Sequence, residues 1–457
     1  MNRVRNRSWF MIVFLLTLVG GMCFFLWEYA NKAPTWVVQR GSPHVYENSN
    51  VGSARVVDPE GIVLLDTTQG RVYAENSGLR QAMLHYLGDR NGFIRPGALT
   101  HHMEHLTGYD RFNGVYGHDR ETGELTLTIS ARVQVAALNA MAGRKGTIAV
   151  YNYKTGQILC AVSTPTFDPD NVPDIAGDTT GIYEGVYLNR FLQSTYPPGS
   201  IFKIVTTAAA LECVDGIEDM RFSCTGEYFV GGGRVTCERA HGQLSLKTAF
   251  AQSCNCSYAQ IALLIGAEQM EAYVEKYAIL DAVSFDGLTG VTGNYDLEDA
   301  GKLGLAWSAI GQYTDLINPA AYLRFLGAVA GGGSGAEPYL VEKATLAGET
   351  TYQAQTVATE RILSSELAQT LRELMANNVQ TVYGAGNFAG LSVCAKSGTS
   401  ELGGGLKPNA MFAGFVTDSS YPLAFIVVVE NGGYGASTCV PILSQVLQQC
   451  KDVLDGR

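Results

Sequence analysis

Tyr196-Pro-Pro-Gly-Ser-Ile-Phe-Lys203, running on into Ile204-Val-Thr-Thr-Ala-Ala-Ala-Leu211, sets a hydroxyl and an amine at the start of a helix. Pro197, Pro198 and Gly199 cannot continue a preceding helix, whereas the Ala-rich run after them is a strong helix former. Ser200 is therefore expected at a helix N-terminus, with Lys203 three residues on and on the same face. A hydroxyl is a weak nucleophile until a neighbouring base takes its proton, and a lysine one turn away serves if it is desolvated and neutral. The helix start also offers backbone N–H groups and the positive end of the helix dipole to a developing oxyanion. Taken alone, S-x-x-K is common, and a capping serine beside a solvated lysine explains it equally well.

Two further segments shift that balance. Ser253-Cys-Asn255 lies between helical runs, and Lys396-Ser-Gly-Thr399 ends a strand-like run near the C-terminus. S-x-x-K, S-x-N and K-[ST]-G in that order form the motif set of serine acyl-transfer enzymes acting on D-alanyl peptides and β-lactams. Ser253 can relay a proton between Lys203 and a leaving amine, and Asn255 can hold a substrate amide. Lys396 adds a cation that attracts a carboxylate and disfavours protonation of Lys203. Gly398 leaves room for a ligand along the strand edge. Any one motif is weak, but three in order are strong.

On these residues the chain resembles the class B penicillin-binding proteins, membrane-anchored D,D-transpeptidases of peptidoglycan synthesis. Similar stretches are Leu127-Thr-Ile-Ser-Ala-Arg-Val-Gln134, Pro165-Thr-Phe-Asp-Pro169, His241-Gly242, Ile310-Gly-Gln312 and Asn318-Pro319, with His105-Leu-Thr-Gly-Tyr109 upstream. The resemblance implies an α/β chain of the α+β type with a penicilloyl-serine-transferase, or β-lactamase-like, fold: a central antiparallel sheet flanked by helices, with a helical subdomain. It implies Ser200 as the acylated nucleophile, Lys203 as its base, and Ser253 and Asn255 on the helical side of the cleft. Lys396, Ser397, Gly398 and Thr399 are the implied substrate-binding strand, and the N–H groups of Ser200 and Thr399 the oxyanion hole. The implied ligands are stem peptides ending in D-Ala-D-Ala and, as inhibitors, β-lactams. The implied partner is a membrane polymerase of glycan strands, and neither metal nor cofactor is implied. The chain departs from the family pattern at Ser397, where Thr is more usual, at Ser130, Tyr313 and Asn409-Ala-Met-Phe412, and along Arg55–Gly61; the catalytic set stays intact.

The rest of the chain fits around this centre. At 457 residues it has room for two to four units at roughly 100–200 residues each. Trp9 to Trp27 is 19 residues long with no charge and one polar residue, Thr17, enough to cross a hydrocarbon core of about 30 Å. Arg3, Arg5 and Arg7 precede it, which puts the N-terminus in the cytoplasm and the rest outside. The run is longer than a signal-peptide core and no Ala-x-Ala site follows, so it reads as an uncleaved anchor rather than a leader. The expected plan is a tail at 1–8, an anchor at 9–29, a membrane-proximal unit at 30–125 and a transpeptidase domain at 126–457. Beyond residue 40 there are 27 basic and 42 acidic residues, a net −15, which argues against a nucleic-acid binder.

Strands are expected at Leu125–Ile129, Thr147–Tyr151, Gln157–Val162, Leu391–Ser397, Met411–Val416 and Leu423–Val429. Residues 200–330 read as mostly helical, with runs at 201–212, 247–266 and 298–330. Two more helices are expected, at Ser364–Asn377 and Val440–Leu454. Nine of the ten cysteines lie beyond the anchor. Cys224 and Cys237 flank Gly231–Gly233 and could close a hairpin disulfide or stay as small apolar side chains. Cys254 and Cys256 form a C-x-C without a second pair at metal spacing. His101-His-Met-Glu-His105 matches H-x-x-E-H but lacks an evident third ligand, so it reads as no zinc site. Competing readings are a D,D-carboxypeptidase or β-lactamase-like hydrolase and a non-catalytic penicillin-binding sensor or scaffold. Glu184–Asn189 has the wrong spacing and position for a deacylating glutamate, and the intact Ser200, Lys203, Ser253, Asn255 and Lys396 argue against an inactive protein.

Overall fold

The computed structural model describes residues 2–36, 54–68, 70–107, 109–110, 115–116 and 123–457. Gly108, in the His105–Tyr109 stretch, lies outside them. The first helix, α1 (Asn2–Trp36), contains a stretch at Arg7–Ala33 that, among the described residues, is alone in being long and apolar enough to cross a membrane. Residues 7–27 of that stretch are exposed throughout, whereas Ala33 at its end is buried.

Fifteen of the strands carry the argument. β1 (Ala54–Val57), β2 (Val63–Asp66), β3 (Val72–Tyr73) and β4 (Gly123–Leu127) come first, then β5 (Gly146–Asn152) and β6 (Ile158–Thr164). β7 (Phe222–Cys224), β8 (Glu227–Val230), β9 (Gly233–Thr236) and β10 (Gly242–Leu244) are short, and β11 (Val341–Leu346) and β12 (Glu349–Gln353) follow. β13 (Val393–Ser400), β14 (Asn409–Val416) and β15 (Leu423–Val429) close the set. The helices used below, after α1, are α2 (Ala131–Met141), α3 (Lys203–Cys213), α4 (Leu246–Ala251), α5 (Asn255–Ile265), α6 (Pro319–Ala330), α7 (Ser365–Asn378) and α8 (Gly435–Leu454).

The central sheet has the order β13-β14-β15-β5-β6, and every pairing is antiparallel. Its strands are almost wholly buried and mostly apolar, the Lys396–Ser400 end of β13 excepted, because both faces are covered. In β5, Ile148 and Val150 face a core built with Val133, Leu443, Val446 and Leu447 of α2 and α8. The alternate residues, Ala149 and Tyr151, face a second core with Ile204 and Ala208 of α3 and Leu323 and Leu326 of α6. The two-residue period of the strand thus serves two helical layers at once. Helix and sheet approach most closely at Gly327, where an added Cβ would lie 1.6 Å from the Tyr151 hydroxyl.

A second sheet runs β12-β11-β4-β1-β2-β3, with β1 parallel to β4 and the other pairs antiparallel. It draws β11 and β12 from deep inside the C-terminal half, and β4 spans the 125/126 junction expected between the two units. The expected strand at Leu125–Ile129 therefore belongs to this sheet rather than to the central one. Residues 54–107, which show little pattern in sequence, form three strands and several helices. Arg80, on the helix Ser77–Leu87, ties this region to the central body through Asp168 of the Pro165–Pro169 stretch, Nη2 to Oδ2 2.5 Å.

Three helical expectations need correction. The run 247–266 breaks at Gln252–Cys254, where Ser253 takes φ +52° and Cys254 caps a new helix. The run 298–330 breaks before Asn318, which caps α6 with Pro319 in its first turn. Residues 222–244 fold as two short hairpins that the surrounding Ala-rich helices hide in composition. At the C-terminus, α8 starts at Gly435, five residues before the expected Val440.

Gly327→Ala is expected to lower stability by about 1–3 kcal/mol, because the buried Tyr151 ring has no free volume to move into. Gly386→Ala meets nothing within 4 Å and should leave it unchanged. Thermal unfolding of the detergent-solubilised protein compares the two.

Candidate active site

Ser200 lies in a single 3₁₀ turn, Gly199–Phe202, that leads directly into α3. This turn is held from three sides. Gly199 has φ +53°, and a Cβ there would lie 2.5 Å from the Thr399 carbonyl of β13. Its N–H donates to the Gly311 carbonyl at 2.9 Å, and the Tyr322 hydroxyl donates to the Ile201 carbonyl at 2.7 Å. The Phe202 ring stacks on Tyr295 at 5.4 Å. The Ser200 backbone is thus fixed by groups on β13, α6 and the loop after residue 308.

Lys203, the first residue of α3, is fully buried. Its Nζ lies 3.0 Å from Ser200 Oγ, 3.0 Å from Ser253 Oγ, 2.7 Å from the Ser253 carbonyl and 2.8 Å from Asn255 Oδ1. A neutral amine has two hydrogens and one lone pair. Donating to the carbonyl and to Asn255 Oδ1, the two shortest contacts, leaves the lone pair to accept the Ser200 proton. Burial pushes Lys203 down to about 8, with Cys237, Cys254 and Glu238 pulling the other way.

Lys396, on β13, is also fully buried. Its Nζ donates to Ser253 Oγ and to the Ser397 carbonyl, each at 3.0 Å. Burial first, then the charge of Lys203, holds Lys396 well below the ordinary lysine range. Two ammonium groups sharing one hydroxyl in a desolvated site cannot both stay charged near neutrality. Ser253 therefore bridges two amines that compete for protons, a fitting place for a relay. Its φ of +52° is uncommon for a residue with a Cβ, the kind of backbone strain that clusters at functional sites.

Each expected site residue is present in this one region, some with different surroundings. Asn255 Nδ2 donates to the Thr236 carbonyl of β9 at 2.9 Å, so its amide spans from Lys203 to the hairpin and is already engaged at both ends. Lys396 has no exposed surface, so it reaches a ligand through its field rather than by direct contact. Gly398 serves a different purpose from the open strand edge expected of it. A Cβ there would lie 2.9 Å from the Pro198 carbonyl and 3.0 Å from Ile201, so the glycine lets β13 press against the nucleophile turn. Thr399 Oγ1 accepts from the Gly435 N–H at 3.1 Å, which docks the start of α8 beside the strand.

Two residues escape the motif reading. The Tyr383 hydroxyl lies 3.0 Å from Ser397 Oγ and accepts from the Ser397 N–H at 2.9 Å, and its residue ends a π-helical turn, Val379–Tyr383, directly after α7. Such turns often mark functional sites, but nothing in the local sequence announces one. The Tyr258 ring lies 5.3 Å from Lys203 Nζ, and its hydroxyl meets Thr207 Oγ1 at 2.5 Å. The histidines at 101–105 lie apart from the site, with His102 Nε2 2.8 Å from Asp286 Oδ1.

A buried lysine on a serine hydroxyl, a second serine bridging to a second lysine, and an edge strand beside them define a serine acyl-transfer site of the penicillin-recognising kind. Residues 146–448 match the family described as penicillin binding protein transpeptidase domain, and the chain belongs to that family, within its class B. It is 29% identical over 344 residues to the peptidoglycan D,D-transpeptidase PbpA of Mycolicibacterium smegmatis, covering 69% of each chain. It is 27% identical over 350 residues to the stage V sporulation protein D of Bacillus subtilis, covering 71% of this chain and 53% of that one. Among solved structures, the D,D-transpeptidase domain of a peptidoglycan glycosyltransferase from Eggerthella lenta superposes with TM-score 0.76 at 25% identity, over 88% of this chain and 98% of the other. The ceftriaxone acyl-enzyme of penicillin-binding protein A from M. tuberculosis superposes with TM-score 0.70 at 21% identity, over 87% and 98%.

Two outcomes follow from this geometry. If the neutral amine of Lys203 takes the Ser200 proton, the rate of acylation by a fluorescent penicillin should climb as pH rises through about 8 and level off above it. A stopped-flow profile flat from about pH 6 to 10 would contradict the assignment. Gly398→Ala should slow the same reaction by about tenfold or more, because the strand and the nucleophile turn can no longer keep their spacing.

Proposed function

We propose that this peptidoglycan D,D-transpeptidase cross-links stem peptides through an acyl-enzyme on Ser200. The observation that carries the reading is the fully buried Lys203, with Nζ 3.0 Å from Ser200 Oγ. Lys203 takes the Ser200 proton as Oγ attacks the carbonyl carbon of the penultimate D-Ala. The backbone N–H groups of Ser200 and Thr399 hold the oxyanion of the tetrahedral intermediate. The proton travels by way of Ser253 to the nitrogen of the terminal D-Ala, the C–N bond breaks, and free D-Ala leaves. An amine from a neighbouring stem then attacks the ester carbonyl, gives its proton back through the same relay, and restores the Ser200 hydroxyl. A β-lactam takes the same first step, but its leaving nitrogen stays tethered, so the ester persists. Ser397 and Thr399 meet the substrate carboxylate, within the positive field that Lys203 and Lys396 set up when either carries its proton.

The relatives' names support this reading over a hydrolase, and the buried Lys203 on Ser200 supports it over a non-catalytic sensor. We further read α1 as a single-pass anchor with its N-terminus in the cytoplasm and the catalytic domain outside. Residues 30–125, completed by β11 and β12, are read as a pedestal between the anchor and the transpeptidase domain at 126–457. A membrane polymerase that supplies glycan strands is the expected partner.

Labelling with a fluorescent penicillin tests the chemistry. Wild type should carry one covalent label that survives denaturation, and Ser200→Ala none. Persistence of the adduct for many minutes agrees with a transpeptidase, and release within seconds would mark a hydrolase. Labelling of Ser200→Ala at the wild-type level would remove the acyl-enzyme from consideration.

A further inference from the structure

Beside the catalytic turn, four side chains that look unrelated in sequence converge. Cys224 ends β7, Cys237 follows β9, His241 precedes β10, and Cys254 caps α5. Their spacing is Cys224-x12-Cys237-x3-His241-x12-Cys254, which matches none of the close cysteine pairs by which zinc sites are usually read. In space, the three Sγ atoms and His241 Nδ1 all lie within 4.8 Å of one another. His241 Nδ1 is 3.5 Å from Cys224 Sγ and 3.4 Å from Cys237 Sγ, and Cys237 Sγ is 3.9 Å from Cys254 Sγ.

Three of the six ligand-to-ligand edges thus have the lengths of a tetrahedral site. A tetrahedral ion with Zn–S of about 2.3 Å and Zn–N of about 2.0–2.1 Å requires S–S edges of about 3.8 Å and S–N edges of about 3.5 Å. Ser257 directs both its N–H, at 3.4 Å, and its Oγ, at 3.2 Å, at Cys254 Sγ, which holds that sulfur in place at the start of α5. We propose that Cys224, Cys237, His241 and Cys254 form a closed four-ligand site for a thiophilic divalent cation of the zinc class. Thiolate-rich tetrahedral sets select such ions over magnesium or calcium, and four protein ligands leave no position open for catalysis. Each cysteine gives up its proton to the medium as its S–metal bond forms, and no electrons are exchanged.

The site's role follows from its place. Cys254 lies between Ser253 and Asn255, and the hairpins it joins are pairs of three- and four-residue strands, too small to hold their shape alone. The ion thus ties both hairpins to the turn that keeps Ser253 at φ +52° and Asn255 between Lys203 and Thr236. It acts as a positioning element for the catalytic set. The sequence alone reads as metal-free because these four residues, at x12, x3 and x12 spacing, form none of the close pairs that mark zinc sites.

The metal content of the full chain, purified in detergent under reducing conditions, tests the site without reference to acylation. Zinc by mass spectrometry is expected at about one per chain. Cys237→Ser and His241→Ala should each cut it about tenfold or more, and Cys213→Ser, on α3 away from the cluster, should not. Exchange with cobalt(II) should give a thiolate charge-transfer band in wild type, a readout that stands even if a ligand variant fails to fold. Zinc below about a tenth per chain after incubation with the ion, no such cobalt band, or a Cys237–Cys254 disulfide in most chains by peptide mapping would each overturn the proposal. Penicillin labelling of the same samples keeps the two questions apart: a metal-free protein that still labels Ser200 refutes only the metal site.

Discussion

Two lysine amines, both wholly out of water, meet on the single hydroxyl of Ser253, and the rest of the structure is arranged so that they can. Burying one ammonium is costly, and burying two side by side costs more. The cost is met in two ways: the amines shed protons, and their remaining hydrogens find the Ser253 carbonyl, Asn255 Oδ1 and the Ser397 carbonyl. The partners come from α3, the turn before α5, and β13, segments 50 and 143 residues apart along the chain. A fold that brought only two of them together would leave a buried charge without compensation.

That requirement explains the density of close backbone contacts around Ser200. Gly199, Gly311 and Gly398 each stand where an added Cβ would strike a main-chain atom within 3 Å. Each removes a side chain so that a loop, a 3₁₀ turn and an edge strand can come within reach of one another. Gly435 does the same where α8 meets β13. The central sheet supplies the rigidity: its strands are sealed by helices on both faces, so the edge that carries Lys396 to Thr399 cannot drift relative to α3.

The small hairpins beside α5 stand in contrast. They hold Asn255 through the Thr236 carbonyl and seat Phe222, Val230, Val235 and Leu244 in the core, while Phe229 and Arg234 face water. The cross-link proposed for Cys224, Cys237, His241 and Cys254 would act on the part of the site that the sheet does not reach.

Local chemistry made much of this legible in the sequence. The Pro-Pro-Gly break before an Ala-rich run fixes where α3 begins, the apolar runs fix β5, β6, β14 and β15, and the uncharged segment from Trp9 fixes α1, because each signal is carried by neighbours along the chain. Ser200, Lys203, Ser253, Asn255 and Lys396 were legible as a set only because three short motifs recur in one order. What the chain order cannot carry is which distant groups touch. The break at Ser253, the passage of β11 and β12 into the membrane-proximal sheet, the Tyr383 hydroxyl on Ser397, the packing role of Gly398 and the convergence of Cys224, Cys237, His241 and Cys254 were all decided by tertiary structure. Each depends on a contact between segments tens to hundreds of residues apart, where the energy lies in the pair and neither residue signals it alone.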